Sequence, residues 1–353
     1  MEGLWQNDEK TSAVYKVAVR FLEADDRAGV ERYAVGRGLV GPDRLPIAVT
    51  RAGNGNMNVT LRLTPAGGPA FILKQARPWV AKYRDIAAPF ERTLVEAAFY
   101  EAVRADPFVC GQMPSLLAVD TDNHVLALEE VDGPGDLTSI YAGRELTAST
   151  LDQLLLWLER LADVAVTVEQ RAIFENREMR RLNHEHMFWF PLDPANSLDL
   201  DAITPGLKEA ARALLDDRRY RDAVTALGRR YLADGSTLVH GDFFPGSWLQ
   251  TEDEGVRVID PEFCFLGDAE FDIGILAGHA LLAGAGAGRI EQIAASVAAR
   301  RLDAARVAGY AGVEIMRRLI GVAQLPLPYG LDRKRALLRQ SRDLVLEPAT
   351  ELA

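Results

Sequence analysis

Two short segments of the sequence carry most of its potential chemistry. The first, Leu238-Val-His-Gly-Asp-Phe-Phe-Pro-Gly-Ser247, leads from an apolar run into a polar loop that contains Asp242. The second, Val258-Ile-Asp-Pro-Glu262, ends another apolar run and places Asp260 eighteen residues after Asp242. This spacing is typical of a phosphoryl-transfer catalytic loop followed by a metal-binding carboxylate. We therefore expect Asp242 to accept or orient the proton of a substrate hydroxyl.

The second segment supplies candidate metal ligands. Hard carboxylate oxygens suit Mg²⁺, so we expect Asp260 to ligate a magnesium ion that bridges nucleotide phosphates, with Glu262 close to the same ion. Ser247 stands where a protein kinase has a metal-binding Asn, and Glu262 would compensate for its poorer hydroxyl ligand. His240 is better suited to holding the loop by a hydrogen bond than to acting as a base. The alternative, a hairpin with incidental acids, does not account for the joint spacing.

The N-terminal third offers residues that could hold a nucleotide. Glycines in the turn Gly53-Asn-Gly-Asn-Met-Asn58 would let backbone N–H groups approach phosphate closely, although most such turns are only hairpins. Lys74 ends an apolar run and could hold the α- and β-phosphates, with Glu96 on the next helix as its partner. A lone lysine at a strand end is usually solvated, so this assignment depends on the downstream motifs. The complete set of predicted nucleotide-contacting residues is Gly53, Asn54, Gly55, Asn56, Asn58, Lys74, Glu96, Glu129 and Val131.

The elements that must position these residues follow from hydrophobic periodicity. The pattern predicts a helix over 10–24, antiparallel strands at 47–50, 59–63 and 70–74, a helix over 91–105, a strand over 125–131 and a hinge at 132–135. The short apolar runs at 237–240 and 256–260 are expected to pair as a hairpin. Further helices are predicted at 151–168, across 207–232 as a pair, and at 271–284, 289–308, 310–323 and 331–345. We therefore predict an α+β fold with a β-rich N-lobe (1–131) and a mainly helical C-lobe (132–353).

Composition excludes several classes of protein. With 40 basic and 51 acidic residues the formal charge is −11, which argues against a non-specific nucleic-acid binder. The two cysteines, Cys110 and Cys264, form no metal or disulfide pattern. The longest weakly polar stretch, 273–288, is shorter than the roughly 20 residues of a membrane span, and the first residues show no basic-then-apolar leader pattern. We therefore expect a cytoplasmic protein that binds neither nucleic acid nor membrane.

His240-Gly-Asp242 with Asp260 resembles the catalytic core of the aminoglycoside phosphotransferase group of small-molecule kinases. Asp260-Pro-Glu262, Gly246-Ser247 and the Arg317-Arg318 pair resemble, within that group, the S-methyl-5-thioribose kinases. The resemblance implies a bilobal protein-kinase-like fold, ATP and Mg²⁺ as cofactors, a possible homodimer, and phosphorylation of the anomeric hydroxyl of 5-methylthioribose or a related 5-deoxy-pentose. It also implies a substrate site formed by Asp242, Phe244, Arg317, Arg318 and His184.

Two departures from that pattern leave the acceptor open. Phe243-Phe244-Pro245 stands where the family has Leu-His-Thr, and two aromatic rings beside Asp242 are expected to make a bulkier, more apolar wall. The stretch 284–309 is shorter than the family's insertion over the sugar. The alternatives are a kinase of another hydroxylated small molecule, such as a natural product or an aminoglycoside-type antibiotic, and a non-catalytic nucleotide-binding protein. The latter predicts loss of Asp242, Asp260 or Lys74, and all three are present.

Overall fold

In the computed structural model, five antiparallel strands form a sheet in the N-terminal part of the chain. The structure describes residues 19–348 except 54, 56 and 326. The sheet has the order β1-β2-β3-β7-β6, and β4 and β5 pair separately. On β2 alternate side chains are buried, which gives the sheet one apolar face. The strands are β1 (Ile47–Arg51), β2 (Val59–Pro65), β3 (Phe71–Gln75), β4 (Trp79–Val80), β5 (Tyr83–Ala87), β6 (Leu116–Asp120) and β7 (Val125–Glu129).

The first helix of the described chain, α1 (Arg27–Gly36), covers the apolar face of this sheet, with Val30 and Tyr33 in the same core as Leu61 and Leu73. It begins where Asp26 accepts a hydrogen bond from the Gly29 N–H at 2.9 Å. The helix predicted over 10–24 is wrong for residues 19–24, which are not helical; residues 10–18 lie outside the described residues. The backbone N–H groups at 20 and 22 donate instead to side chains of Asn123 and Gln75.

The chain divides into two units. The first comprises Met1–Ala97 and Ser115–Glu130, and the second comprises Ala98–Pro114 and Val131–Ala353. The division after residue 130 lies next to the boundary expected from the sequence, but residues 98–114 group with the second unit, which the sequence did not indicate. The assignment of nucleotide-phosphate binding to 1–131, and of the catalytic loop, metal site and acceptor pocket to 132–353, stays a prediction.

Helices dominate the second unit, and α2 crosses from the first unit into it. A π-helix, Glu185–Trp189, continues directly from α6. The helices are α2 (Arg92–Val103), α3 (Pro107–Gly111), α4 (Ala148–Ala162), α5 (Val168–Ile173), α6 (Arg177–His184), α7 (Leu200–Ile203), α8 (Leu207–Leu215), α9 (Arg218–Leu232), α10 (Glu270–Leu282), α11 (Ala287–Ala299), α12 (Ala304–Ile320) and α13 (Leu331–Leu346). Within the described part of the chain, every helix is too short or too polar to cross a bilayer.

The predicted helix break near residue 309 is wrong, because the chain interrupts its helix at 300–303 instead. Asp303 caps the new helix by accepting from the N–H groups of Ala305 and Arg306. Gly309 stays inside α12, where a Cβ would lie 2.9 Å from the side chain of Leu227. This glycine therefore permits close packing rather than ending the helix.

Short strands frame the two segments that carry the candidate chemistry. They are β8 (Gly135–Asp136), β9 (Thr237–Val239), β10 (Trp248–Gln250), β11 (Val256–Val258) and β12 (Phe265–Gly267). The predicted hairpin between 237–240 and 256–260 is wrong: β9 pairs with β12, and β11 pairs with β10. The chain reverses between β10 and β11, so β11 already has a neighbour. Asp242 and Asp260 consequently follow the ends of strands in two different ladders.

Two glycines bring α10 and α12 into close contact. A Cβ at Gly274 would lie 2.6 Å from that of Tyr310, and one at Gly278 would lie 3.0 Å from the Cβ of Glu314. Because Gly274 and Gly278 are one turn apart, they form a flat strip along α10. Nearly every residue of α10 is buried, so this helix and α12 form the packed centre of the second unit.

Candidate active site

The loop that carries Asp242 is anchored from beneath by Asp272. The two carboxylate oxygens of Asp272 accept hydrogen bonds from the N–H groups of His240 at 2.6 Å and Gly241 at 3.0 Å. Burial raises the pKa of Asp272 to about 7. Gly241 has φ +86°, and a Cβ there would lie 2.1 Å from the carbonyl oxygen of Phe263. Only glycine fits this turn, which brings Asp242 out of the strand.

His240 also serves this loop, as the sequence indicated. Its Nε2 lies 2.9 Å from the carbonyl oxygen of Ile259, and its Nδ1 lies 3.3 Å from the N–H of Asp242. Because a carbonyl oxygen can only accept, Nε2 carries the proton and Nδ1 accepts from Asp242. The imidazole thereby ties the Asp242 loop to the segment that leads into Asp260.

Both arginines of the pair converge on the Asp242 carboxylate. Nη2 of Arg317 lies 3.2 Å and Nη2 of Arg318 lies 3.6 Å from Asp242 Oδ1. The two guanidinium side chains are 6% and 7% exposed, whereas the Asp242 side chain is 25% exposed. A carboxylate has capacity for about four hydrogen bonds, so the exposed part of Asp242 can still accept one from a ligand hydroxyl.

Glu314 holds the two guanidinium groups in place. This fully buried carboxylate lies three and four residues before the arginines on α12, and its oxygens contact Arg317 Nε at 2.5 Å and Arg318 Nε at 2.6 Å. Burial alone would raise the pKa of Glu314, but the two guanidinium charges hold that pKa well below its usual range. The sequence reasoning missed Glu314, although an acid at i−3 and i−4 from adjacent arginines is a readable helix signal.

Behind Glu314 a buried chain of hydrogen-bonding groups continues. His279 Nε2 lies 2.8 Å from Glu314 Oε1, and His279 Nδ1 lies 2.6 Å from the Tyr141 hydroxyl. Burial lowers the pKa of His279 to about 4, so its ring is neutral at pH 7. The hydrogen bond between Nδ1 and the Tyr141 hydroxyl and the close approach of Nε2 to the Glu314 carboxylate join the three buried side chains. These two residues give Glu314 a fixed orientation, and no sequence motif pointed to either of them.

The two phenylalanines after Asp242 have different environments. The Phe244 ring lies 4.7 Å from the Arg318 guanidinium carbon and 5.7 Å from the His279 ring. Phe243 is fully buried and stacks on Trp157 at 5.5 Å. The expectation that both rings form the wall beside Asp242 is therefore wrong. Phe243 packs in the core because adjacent residues of an extended segment point to opposite sides.

The candidate metal residues follow β11. Asp260 adopts a left-handed conformation at φ 63°, ψ 49° and begins the short helical turn Pro261–Phe263. Glu262 is buried, and Asn176 fixes the turn by donating to the carbonyl oxygens of Glu262 and Cys264 at 3.1 and 2.9 Å. Ser247 is also buried, and its hydroxyl donates to the backbone carbonyl of Asp242 at 3.1 Å.

This donor set fits magnesium bound together with a nucleotide. Two carboxylates lie two residues apart, and Mg²⁺ is usually held by one or two carboxylates while water and phosphate complete its shell. Across residues 19–53, 55, 57–325 and 327–348 the structure brings together no group of three His, Cys, Asp or Glu side chains that could enclose a metal. That Asp260 and Glu262 would hold such an ion stays a prediction. The role of Ser247 as a ligand stays a prediction, since the structure gives its hydroxyl a bond within the loop.

In the first unit, Lys74 on β3 and Glu96 on α2 form a buried ion pair. Nζ lies 2.5 Å from Glu96 Oε2, and the side chains are 5% and 1% exposed. A buried lysine is costly unless it is paired, so this contact fixes the ammonium group at one place on the sheet. The pairing is the arrangement that the sequence indicated for a phosphate-binding lysine, although its role stays a prediction.

The remaining predicted nucleotide residues differ in their surroundings. Gly53 has φ +66°, and a Cβ on Gly55 would have no neighbour within 4 Å among the described residues. Asn58 is buried and accepts from Arg92 Nε at 3.0 Å. Arg92 also donates to the carbonyl of Met57 at 2.8 Å, so it holds the end of the turn in place.

Asn54 and Asn56 lie outside the described residues. At the end of β7, the exposed Glu129 accepts from both the N–H and the hydroxyl of Ser115, at 3.0 and 2.7 Å. Val131 is partly buried and belongs to the second unit. The structure therefore gives Asn58 and Glu129 local structural bonds, and their contacts with a nucleotide stay predictions.

His184, the predicted substrate residue of the α6 region, packs against neighbouring residues of the second unit. Its ring stacks on Phe188 at 5.4 Å, and its Nε2 is 2.7 Å from where a Cβ on Gly228 would lie. Burial lowers its pKa. Another residue of the segment, Asn183, reaches the arginine pair instead, because its Oδ1 accepts from Arg317 Nη1 at 3.2 Å.

Comparison with known proteins decides the family. The model of the phosphotransferase enzyme family, APH, matches residues 49–314, which is well over half of the chain. The chain belongs to this family. The match includes the last three residues of β1, all of β2 to β12 and the two segments that carry Asp242 and Asp260. It confirms the resemblance stated from the sequence motifs.

Curated relatives narrow the similarity within this family. The chain is 28% identical to methylthioribose kinase from Exiguobacterium sibiricum over 261 residues, 70% of this chain and 63% of the relative. It is 28% identical to the Pectobacterium atrosepticum methylthioribose kinase, over 74% of this chain and 66% of the relative. The chain thus spans slightly less than two thirds of the length of these relatives. The Geobacillus kaustophilus methylthioribose kinase is 25% identical and matches over 88% of its length.

Solved structures confirm the fold class. Spectinomycin phosphotransferase, solved with ADP and spectinomycin, superposes with a TM-score of 0.58 at 13% identity, covering 94% of this chain and 99% of that chain. The choline kinase LicA from Streptococcus pneumoniae gives a TM-score of 0.51 at 14% identity, covering 88% and 98%. The chain therefore has the predicted α+β, protein-kinase-like fold.

Proposed function

We propose that the chain is an ATP- and Mg²⁺-dependent small-molecule kinase that phosphorylates a sugar hydroxyl. The acceptor we propose is the anomeric hydroxyl of 5-methylthioribose or a related 5-deoxy-pentose. One observation carries this proposal: the partly exposed Asp242 carboxylate is held by two buried guanidinium groups on a loop anchored by Asp272. The arrangement supplies an oriented acceptor for a hydroxyl proton and fixed positive charge beside it.

In the proposed reaction, the hydroxyl oxygen forms a bond to the γ-phosphorus of ATP as the bond to the β,γ-bridging oxygen breaks, and Asp242 receives the hydroxyl proton. Phosphoryl transfer proceeds through a loose transition state, so catalysis is mainly positioning and electrostatic stabilisation. Arg317 and Arg318 hold the Asp242 carboxylate and can hydrogen-bond sugar oxygens. Lys74 is assigned to the phosphates. Bound through Asp260 and Glu262, Mg²⁺ would neutralise phosphate charge.

The choice of acceptor is supported by the curated relatives, which are named methylthioribose kinases. A second candidate function, a kinase of another hydroxylated small molecule, is favoured by Phe244. This ring lies against Arg318 where the resembled kinases have a histidine, and it makes the site beside Asp242 more apolar. The proposal places the enzyme in the cytoplasm. Homodimer formation stays a prediction that sedimentation analysis of the purified chain can test.

A coupled ADP-release assay tests the proposal. The purified chain is supplied with ATP and Mg²⁺ and with a panel of 5-methylthioribose, other pentoses, amino alcohols and aminoglycosides. Turnover of 5-methylthioribose at the highest kcat/KM supports the proposed acceptor, whereas higher turnover of another alcohol supports the second candidate.

A melting measurement addresses the non-catalytic alternative. ATP with Mg²⁺ at about 100 times its Kd should stabilise the protein by about 2.7 kcal/mol. Stabilisation by ATP without any acceptor-dependent ADP release would contradict the kinase proposal and support a nucleotide-binding protein without catalysis.

A further inference from the structure

The guanidinium group of Arg317 has a partner in each of three directions. Its Nε donates to Glu314 at 2.5 Å, its Nη1 donates to Asn183 Oδ1 at 3.2 Å, and its Nη2 donates to Asp242 Oδ1 at 3.2 Å. The group is a planar fork in which these nitrogens point away from one another. Because every nitrogen is bonded and only 6% of the side chain is exposed, Arg317 has one fixed orientation.

Asn183 is the partner of Arg317 that lies outside both α12 and the Asp242 loop. It belongs to α6 and is buried. Because a guanidinium group can only donate, the amide oxygen of Asn183 faces Arg317, and the amide nitrogen donates to the Tyr231 hydroxyl at 3.1 Å. Tyr231 on α9 is also buried, which raises its pKa and keeps its hydroxyl protonated at pH 7. The Asn183 amide is therefore held at both polar atoms, and it fixes Arg317 against α6 and α9.

The second arginine of the pair, Arg318, is held less completely. Its Nε donates to Glu314 at 2.6 Å, its Nη1 donates to the carbonyl of Ala323 at 3.2 Å, and its guanidinium carbon lies 4.7 Å from the centre of the Phe244 ring. Its Nη2 lies 3.6 Å from Asp242 Oδ1, which is longer than a hydrogen bond. Nη2 donates to no residue that the structure describes, so its N–H groups are available to an oxygen atom placed beside Asp242.

Both arginines approach the same oxygen of Asp242. The hydrogen bond from Arg317 and the longer contact of Arg318 both end on Oδ1. Oδ2 accepts no hydrogen bond from the described part of the chain, and the side chain is 25% exposed. A carboxylate that is bonded at one oxygen is restrained from turning, so the bond at Oδ1 sets the direction in which Oδ2 faces. Oδ2 is therefore the oxygen that is open to a hydroxyl proton.

We propose that the two arginines have different tasks: Arg317, oriented by Asn183, positions the Asp242 carboxylate, and Arg318 Nη2 donates to an oxygen of the acceptor. Asn183 is then a positioning residue that acts on the reaction through Arg317. The inference rests on the proposed function, and it assigns acceptor binding to Arg318 alone, whereas the sequence led us to expect it of both arginines. The acceptor that fits this arrangement carries an oxygen next to its reacting hydroxyl, as a sugar does at its anomeric carbon.

The first test separates positioning from general support of the fold. Asn183→Leu removes the amide that holds Arg317. Tyr231→Phe is the matched control, because it deletes the other buried hydrogen bond of Asn183 and leaves the contact with Arg317 in place. In steady-state kinetics of the full chain with 5-methylthioribose, we expect Asn183→Leu to lower kcat by about tenfold, while the KM values for ATP and acceptor stay within about threefold of the wild type. Tyr231→Phe should stay within about threefold in kcat and in both KM values.

A double variant tests whether Asn183 acts through the carboxylate. In the Asp242→Asn background, Asn183→Leu should lower kcat by less than about threefold, since the group that it orients is already lost. A further loss of about tenfold in the double variant would overturn the inference, as would a wild-type kcat for Asn183→Leu. If Asn183→Leu folds poorly by thermal melting, Asn183→Ser, whose side chain is too short to reach Arg317, replaces it in both comparisons.

The second test concerns the two arginines themselves. Arg318→Lys keeps the charge but removes the fork that carries Nη2, so we expect the KM for 5-methylthioribose to rise by about tenfold. Arg317→Lys should instead lower kcat by about tenfold, with the KM for the acceptor within about threefold of the wild type. An equal rise of this KM in both variants would show that both arginines bind the acceptor, and it would overturn the inference.

The outcomes also separate this inference from the proposed function. Turnover of 5-methylthioribose with additive losses in the double variant, or with the same change of acceptor KM in both arginine variants, refutes the inference alone. If the wild type phosphorylates another acceptor in the panel, the same comparisons are made with that acceptor. Absence of ADP release with every acceptor refutes the proposed function, and this inference with it.

Discussion

Replacing Glu314 by Gln should destabilise the second unit and disturb the active site together. The carboxylate is fully buried and contacts Nε of Arg317 and of Arg318 at 2.5 and 2.6 Å. The substitution keeps the size and removes the charge, so two guanidinium groups that are more than nine-tenths buried lose their shared counter-ion. Asp242 then remains as the carboxylate within 4 Å of both arginines in the described chain.

The expected magnitude follows from burial. Removing one partner of a buried ion pair costs about 3–5 kcal/mol. Because Asp242 still compensates part of the charge, we expect the lower end, about 3 kcal/mol. A unit of this size loses about 2–4 °C in Tm per kcal/mol, which predicts a fall of about 6–12 °C. Since the pKa of Glu314 is held well below its usual range, the loss should be constant between pH 5 and pH 8.

Urea unfolding followed by tryptophan fluorescence measures this change. The matched control is Glu209→Gln, which also removes a carboxylate three residues before an arginine, but from the exposed Glu209–Arg212 pair on α8. The control should change the free energy of unfolding by less than about 1 kcal/mol. If Glu314→Gln destabilises the protein no more than this control does, Glu314 is not the counter-ion that holds the arginine pair.

Three further predictions concern separate parts of the site. Lys74→Met should raise the KM for ATP by at least about tenfold, with a smaller change in the KM for the acceptor, because a charged phosphate contact is lost; equal changes in both would contradict the assignment. Phe244→Leu should raise the KM for the acceptor by about 2- to 30-fold, because Arg318 loses a contact with the ring worth about 0.5–2 kcal/mol. An unchanged KM would show that Phe244 does not hold Arg318 for acceptor binding. The pKa of His279 is about 4 in the folded protein, below its ordinary 6.5. As pH falls from about 6.5 to 4, the unfolded chain takes up this proton before the folded protein does, so the folded state loses stability. His279→Gln should remove this loss of stability, which is about 3 kcal/mol. The effect is measured as the difference between the pH–stability curves of the variant and the wild type, because Asp272 titrates in the opposite sense in both proteins. Parallel curves would contradict the prediction.

The local part of the site was readable from the sequence. Asp242 and Asp260 stand at the ends of apolar runs, and strand ends present side chains in loops whatever the partner strand is. The position of these two residues after strand ends therefore did not depend on the strand pairing, which was predicted wrongly: 237–240 was joined to 256–260, although β9 pairs with β12. Pairing depends on the whole fold, and hydrophobic runs do not encode which run is the partner.

The contacts that support the site from within the protein were not readable from the sequence. Tyr141 meets His279 across 138 residues, and Asp272 reaches the backbone of His240 across 32. No periodic pattern in the sequence indicates either contact, because each depends on how helices pack in the second unit. Glu314 is the exception, since the spacing of a helix turn places it beside the two arginines that follow it.

The central claim is that Asp242 orients the acceptor hydroxyl for phosphoryl transfer, and Asp242→Asn tests it most directly. The measurement is kcat for ADP release with saturating 5-methylthioribose, together with the Kd for Mg²⁺-ATP from calorimetry on the same preparations. We predict that kcat falls by at least about 100-fold while the Kd for ATP changes by less than about threefold. Retention of most of the kcat, or a loss explained by weaker ATP binding, would contradict the claim.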